Sequence, residues 1–478
     1  MIIIAGKRLF TNILHLFFST AFTRVANAIT IILLAGYVGA TEYGMFSLCI
    51  AYSLIAGYFT DMGVKDVVIR DASTKNANIS IIMSSYIKIR IYLLIATLVV
   101  SSIIFVSAYN SNKLITLLFL LVFPTVIGLT MQSIAITYFQ FTEEMKYISN
   151  TRIISAIIAT LVVLLGMYLD WNIYVISAFY GISYIIAGGY SLYVLCKKVI
   201  IDFKSSMEKS LLKGLSSFVL SGLLIMSIPH IGILTIEKVL TLKEVGFYSV
   251  AYRIPTALYQ IPGVVAGAFY PILFKHYNSQ DFNSHLQTNV KQIKIMSFMG
   301  MLVSLPLFLY PEWIIKTLFG EQWLPATDLL QILAIVVILQ SINFPLGDGF
   351  TTSGKQNYRT IILSVSVIIG VVLYYLFSLY YGNIGAAYAA VTLELTMFTG
   401  FLIFNKNRVI VIRKALLLNL IIYSLTMLIS IQFLIGYNFY LGTVLACGML
   451  IISFALIDKE ARKWGSNFKY KLVTRKLR

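Results

Sequence analysis

Thr41-Glu42-Tyr43-Gly44-Met45-Phe46-Ser47-Leu48 recurs as Lys243-Glu244-Val245-Gly246-Phe247-Tyr248-Ser249-Val250, with Glu42 and Glu244 lying 202 residues apart. Both copies read Glu-x-Gly-x-aromatic-Ser-aliphatic, and each leads into a long apolar run. Such runs follow one another along the chain, near residues 9–36, 44–67, 91–109, 114–139, 153–169 and 172–196. After a basic connector they resume near 214–236, 245–273, 295–310, 326–347, 360–380, 384–404, 415–435 and 437–457. A barrel strand needs only ~10 residues and alternates polar with apolar; these blocks are longer and do not alternate. The reading is an all-α polytopic membrane protein with fourteen transmembrane helices. The two motif copies then enter helices 2 and 8 at the same end. Six helices is an even interval, so the halves share one orientation, a parallel pseudo-repeat about an axis along the membrane normal.

Composition agrees. Of 478 residues, 59% are hydrophobic and 12% charged, about half the ~25% charge of a soluble domain. A soluble fold of this length would divide into several domains joined by polar linkers, and none are visible. A soluble enzyme, a disordered chain and a disulfide-stapled domain are excluded. Cys49, Cys196 and Cys447 lie far apart with no paired spacing, and the four histidines show no ligand spacing, so no metal, redox centre or cofactor is expected. No phosphate-binding NTP loop occurs either, so ATP is not expected to drive the chain directly. At the N-terminus, Ala26-Asn27-Ala28 resembles a cleavage site. However, the apolar run continues through Leu34, and a retained first helix is expected.

The net charge of +18 would suggest nucleic acid if it gathered on a water-facing domain. It does not. With the N-terminus placed in the cytoplasm, 31 of the 37 Lys and Arg residues fall in cytoplasmic segments, four on the other side and two, Arg24 and Arg253, within spans. A missed or invented helix would scramble that split, so the positive-inside rule supports the count and puts both termini in the cytoplasm. No nucleic-acid partner is expected. External connectors are mere turns, such as Gly36–Tyr43, Asp170–Trp171 and Tyr380–Asn383. A polymerase or ligase acting outside would need a large external loop, so the chain is expected to move a substrate rather than transform it.

The repeat implies an N-lobe at 1–196 (helices 1–6), a cytoplasmic linker at 197–213 and a C-lobe at 214–405 (helices 7–12). Helices 13–14 occupy 406–457 and a basic cytoplasmic tail 458–478. At this point a family resemblance can be read. Gly39-Ala40-Thr41-Glu42-Tyr43-Gly44-Met45-Phe46-Ser47, then Asp61-Met62-Gly63 and Arg70-Asp71-Ala72, resemble the polysaccharide-export proteins. These are flippases of lipid-linked O-antigen and capsule repeat units, within the superfamily that includes MATE-type drug exporters. Glu244 to Arg253, Leu318-Phe319-Gly320-Glu321 with Trp323 and Ala326, and Tyr381-Gly382-Asn383-Ile384-Gly385-Ala386-Ala387 extend it over roughly 10–405. The resemblance implies two six-helix bundles around a central cavity that opens to alternate sides. Relatives often carry an acid inside helix 7, where this chain has Pro229-His230-Ile231-Gly232. A coupling mechanism based on that acid is not carried over.

Charge inside hydrocarbon costs ~2.5–3.5 kcal/mol on insertion scales, so each intramembrane ion needs a partner or water. On helix 1, Thr20, Thr23, Arg24 and Asn27 fall in one arc. On helix 8, Ser249, Arg253, Thr256 and Gln260 form a similar stripe, with Pro255 and Pro262 inviting a kink. Arg24, Arg253, Thr20, Asn27 and Gln260 are therefore the candidate substrate-binding residues. A guanidinium stays charged and its donor fork matches phosphate oxygens. The structural alternative is that Arg24 pairs with a carbonyl or acid while Arg253 snorkels outward. Glu394, mid-span in helix 12, is either an ion-coupling group or a counter-ion for Arg253. Asp61 and Asp348 read as caps or packing groups, Glu237 and Lys238 either as flanking the outer mouth or as an exposed turn, and Tyr37, Tyr43, Trp171, Trp313 and Trp323 as interfacial anchors.

The expected function is a non-enzymatic flippase carrying polyprenyl-diphosphate-linked oligosaccharide, O-antigen or capsule units, across a bacterial inner membrane by alternating access. Its expected partners are the lipid-linked glycan, membrane lipids and the polysaccharide polymerase and chain-length machinery. The bacterial setting and outward direction come from the resemblance. Rival readings are a flippase for another polyprenyl-linked envelope precursor, a cation-coupled multidrug exporter, and a non-transporting scaffold for glycan assembly.

Overall fold

The computed structural model describes residues 2–72, 78–204, 207–208, 211 and 215–458. Residues 73–77, 459–478 and parts of the connector 197–213 lie outside the described residues, and with them most of the basic tail. Every regular element described is helical. Among the described residues, ten helices are long and apolar enough to cross a membrane, or eleven if one bent pair forms a single span. By their contacts the residues divide into two compact units, Met1–Ser249 and Val250–Arg478.

In the first unit, α1 (Ile2–Phe59) breaks at Gly39, whose φ of 76° lies in the region open to glycine. It therefore contributes two helical arms, matching the first two apolar blocks. There follow the short amphipathic α2 (Val64–Ala72), α3 (Ile79–Ala108), α4 (Asn112–Phe141), α5 (Met145–Tyr168), α6 (Ile173–Cys196), α7 (Leu215–Ile236) and the start of α8 (Leu242–Leu258). Side-chain caps start several of them: Asn78 Oδ1 accepts from Ile81 N and Asn172 Oδ1 accepts from Tyr174 N and Val175 N.

The repeated motif has a physical reason. Gly44 on the second arm of α1 lies against the backbone of α8, and an added Cβ would sit 1.9 Å from the Leu242 carbonyl oxygen. Reciprocally, a Cβ on Gly246 would sit 2.0 Å from the Ala40 carbonyl oxygen. Leu242 and Gly246 are the 202-residue counterparts of Ala40 and Gly44, so each copy offers its glycine to the same place on the other. This is the reciprocity of a two-fold contact, made within one chain. Burial follows the repeat too: Phe46 and Tyr248, Ser47 and Ser249, and Leu48 and Val250 are all buried. The copies begin their helices differently. The first turns at Gly39; at the matching position Thr241 accepts from Glu244 N through Oγ1 while its own N–H donates to Glu244 Oε2, a capping box.

In the second unit, α9 (Gln260–Asn278) continues α8 with a 45° bend between Gly263 and Val265. Pro262 lies beside the bend, as expected where a backbone donor is missing. Next come α10 (Phe282–Leu309), α11 (Pro311–Phe319), a 3-10 turn at Glu321–Ala326, α12 (Thr327–Thr352) and α13 (Gln356–Phe404). The last breaks at Gly382, φ 58°, and again supplies two arms. After α14 (Arg408–Val411) and a π turn, α15 (Leu417–Phe433) and α16 (Phe439–Ile457) pack on α10. Asn419 Nδ2 reaches both Lys294 O and Ser297 Oγ at 2.8 Å, and Lys294 pairs with Asp458.

Two anchors read from the sequence are instead core residues. Tyr43 and Trp323 are 0% exposed; Tyr43 adjoins the Gly44 crossing, where close backbones cover it. Glu237 is also no exposed turn: its carboxylate accepts from Tyr109 Oη at 2.6 Å and pairs with Lys238 at 2.8 Å.

Candidate functional site

The first arm of α1 lies along α5, and three hydrogen bonds set their register. Arg152 Nη1 donates to Thr20 Oγ1 at 3.4 Å, Thr30 and Thr160 share a 2.8 Å hydroxyl contact, and Tyr37 Oη donates to Trp171 O at 3.0 Å. Numbers rise together along both helices, so they run parallel. Parallel running is what two helices separated by an even number of crossings require. From Arg152 to Trp171 at ~1.5 Å per residue is about 28 Å, nearly a hydrocarbon thickness. Thr20 and Arg152 therefore lie near one end of the span, and Arg24 stands one turn, ~6 Å, further in.

Because Arg152 reaches Thr20, its guanidinium sits about one helical turn from the Arg24 position along α1. Among the described residues neither has a carboxylate partner. Arg24 is exposed, and Phe18, Phe22, Val25 and Ile29 beside it on α1 are exposed as well. Thr23 turns its hydroxyl back to Ser19 O, a local bond that removes it from the polar stripe. Asn27 shares the face at i+3 from Arg24 and is half-buried. Two uncompensated guanidinium groups with hydroxyl and amide neighbours, edged by exposed apolar side chains, suit an anion attached to a hydrocarbon chain.

Arg152 escaped the sequence reading, which placed residues 146–152 in a loop. The helix starts earlier, at Met145, and lifts Arg152 two turns into α5. Arg90 escaped likewise. It stands within α3, 1% exposed, with Nη1 2.6 Å from Asp61 Oδ1, while Tyr86 Oη donates to the same oxygen at 3.0 Å. The Arg90 contact lies off the N–H direction, an ion contact rather than a directed hydrogen bond. Asp61 is thus not a solvated cap but half of a buried ion pair.

In the second unit Arg253 is half-buried and makes no ion pair among the described residues. Thr256 bonds back to Tyr252 O and Arg253 O. Gln260 opens α9 with its Oε1 buried and without a donor. Glu394 is 3% exposed, and its carboxylate accepts from Asn343 Nδ2 at 2.8 Å and Gln340 Nε2 at 3.0 Å. The amide oxygens Asn343 Oδ1 and Gln340 Oε1 face no donor. Glu394 is therefore held by carboxamides, not by Arg253, and the counter-ion reading falls. Asp348 is likewise buried, accepting from Gln292 Nε2 at 2.8 Å.

Residues 33–328 match the sequence model described as polysaccharide biosynthesis protein. The chain belongs to that family. A stretch of 130 residues is 28% identical to the teichuronic acid biosynthesis protein TuaB of Bacillus subtilis, covering 27% of this chain and 26% of that relative. The shared stretch thus spans about a quarter of the curated relative's length. Among solved structures, the lipid II flippase MurJ in an inward closed conformation superimposes with a TM-score of 0.72 at 16% identity, over 93% of this chain and 98% of that one. An inward-facing MATE family multidrug resistance transporter does so with 0.67 at 14% identity, over 81% and 95%. At these identities the likeness establishes the fold: a multi-span helical membrane protein built like these transporters.

Proposed function

We propose that this protein is a flippase that carries a polyprenyl-diphosphate-linked oligosaccharide, an O-antigen or capsule-type repeat unit, from the cytoplasmic to the outer face of a bacterial inner membrane. The observation that carries the reading is the pair Arg24 and Arg152, uncompensated by any described carboxylate and set beside Thr20. Two guanidinium groups on neighbouring turns can each donate to the oxygens of one diphosphate. Phosphates cannot cross hydrocarbon without such partners, and the exposed Phe18, Phe22 and Val25 are suited to the lipid part. Asn27 adds an amide on the same face; Arg253 and Gln260 provide corresponding groups on the second unit. Membership of a polysaccharide biosynthesis family supports the glycan, and the MurJ-like fold supports the lipid carrier.

In this reading the chain has fourteen spans, lobes at 1–196 and 214–405 with the linker 197–213 between them, helices 13–14 at 406–457, and both termini in the cytoplasm. Glu394 is the ion-coupling group, because its carboxamide cage offers no fixed cation. The glycan polymerase and chain-length machinery receive the product. The TuaB match favours a second reading, in which the lipid-linked unit is a precursor of a teichuronic-acid-type glycan rather than of O-antigen. Gene deletion tests the proposal. The surface polysaccharide should vanish while its lipid-linked unit accumulates on the cytoplasmic face. Normal surface glycan in the deletion strain would rule the reading out, and loss without accumulation of the lipid-linked unit would point to a scaffold.

A further inference from the structure

Three loops meet at one end of the second unit: 279–281 between α9 and α10, 353–355 between α12 and α13, and 405–407 after α13. Tyr277 and Phe282 on either side of the first, Ser353 and Lys355 of the second, and Asn405 and Asn407 of the third line a cleft of about 270 Å³ that shares no residue with the arginine pair of α1 and α5. Its lining is rich in donors. Lys355, His285, Ser353, Asn405 and Asn407 contribute polar groups, Phe282, Leu286, Leu346, Phe350 and Phe404 the apolar wall, and no carboxylate lines it. The nearby Asp348 is turned to Gln292 instead.

The polar groups are not consumed by one another. Lys355 has no ion pair among the described residues. Asn405 Oδ1 is fixed by Asn407 N at 2.8 Å, which leaves the Asn405 amide N–H groups for another acceptor. His285 is 9% exposed, its Nε2 2.8 Å from Thr352 Oγ1, and Lys355 lines the same cleft. Lys406 and Arg408 flank the Asn405 side in sequence and are exposed. The cleft lies where the spans Phe282–Leu309, Glu321–Thr352 and Gln356–Phe404 begin or end, which is head-group depth. Tyr358 and Ile403, exposed beside it, are suited to contact with acyl chains.

We propose that this cleft binds a phosphate ester, either the head group of an anionic phospholipid of the adjoining leaflet or a soluble phosphate, with Lys355 as the charged ligand and Asn405 as a neutral donor. Basic clefts between helices at the membrane surface recognise anionic head groups by this chemistry. The site is independent of the flippase reading and stands or falls separately.

The test uses the purified full-length protein. Thermal midpoints are measured with increasing phosphatidylglycerol, phosphatidylcholine or inorganic phosphate, for the wild type, Lys355→Ala, Asn405→Ala and Lys355→Arg. Lys355 is exposed, so its replacement leaves the fold in place, and the midpoint without ligand verifies this. Saturable stabilisation of the wild type by phosphatidylglycerol and not by phosphatidylcholine assigns a lipid; stabilisation by inorganic phosphate alone assigns a soluble ester. In either case Lys355→Ala should weaken the apparent affinity about tenfold, the loss of one charge-assisted hydrogen bond, with Lys355→Arg restoring most of it. Equal binding by Lys355→Ala, or no saturable effect of either phosphate source, overturns the proposal.

Discussion

Gly44→Ala is the substitution whose cost the structure states most directly. The new Cβ would lie 1.9 Å from the Leu242 carbonyl oxygen and 3.0 Å from Gly246 N, both backbone atoms. Backbone cannot swing aside as a side chain does. Restoring an ordinary contact of 3.4 Å requires α1 and α8 to part by about 1.5 Å at this point. Overpacking of a well-packed contact costs ~1–3 kcal/mol, or a thermal midpoint lower by roughly 2–12 °C for a unit of this size, at ~2–4 °C per kcal/mol. Gly246→Ala should cost a similar amount, because its Cβ meets the Ala40 oxygen at 2.0 Å. The decisive measurement is the double variant. One separation of the two helices relieves both clashes, so the double substitution should cost clearly less than the sum of the singles. Thermal unfolding of the detergent-solubilised protein, with refolding or aggregation onset as the second readout, gives all three values. A wild-type midpoint for Gly44→Ala, or strict additivity in the double variant, would refute the reciprocal crossing.

Further outcomes follow from the other clusters. Arg24→Ala and Arg152→Ala should each abolish surface glycan at normal membrane levels, and Arg24→Lys should also impair it, since an ammonium lacks the guanidinium fork; full export in these strains removes the pair from the site. Glu394→Gln should fold normally, because rotation of the Gln340 amide presents its donor-free oxygen to the new N–H group; a flux that keeps its ion dependence in this variant dismisses Glu394 as the coupling group. Arg90→Leu leaves the Asp61 charge buried alone and should cost about 3–5 kcal/mol, much of it recovered in Arg90→Leu with Asp61→Leu; unfolding midpoints that show no recovery contradict the buried pair. The hydrogen bond from Ser284 N holds the Asp281 carboxyl below its usual range. Its capping contribution is therefore complete above the ordinary aspartate pKa of ~3.9 and disappears as pH falls through the lowered value. Asp281→Ala should remove that acid-side dependence from the unfolding curve.

The depth of the arginines shows what could be read and what could not. Arg24 stands out in the sequence because the apolar run at 9–36 continues on both sides of it. Arg152 and Arg90 do not, because hydropathy ends a span where charges begin, while a helix continues until its backbone donors are capped. The signal that recovers them is helical: both follow several residues of unbroken helix-forming sequence with no proline or glycine. Glu394 was legible as an unusual mid-span acid, yet its partners were not, since Gln340 and Asn343 lie more than fifty residues away.

What the sequence determined by itself was the helical membrane class and the existence of the repeated motif, because hydrophobic length and motif offset are one-dimensional quantities. The meaning of the motif was decided only in three dimensions. Gly44 and Gly246 recur because two backbones touch there, and contact between residues 202 positions apart has no local signature. The same holds for charge. Composition counts thirty-seven cations, but only packing shows that Arg90 pairs with Asp61 while Arg24 and Arg152 have no carboxylate partner among the described residues, since electrostatic compensation depends on distance rather than on order along the chain.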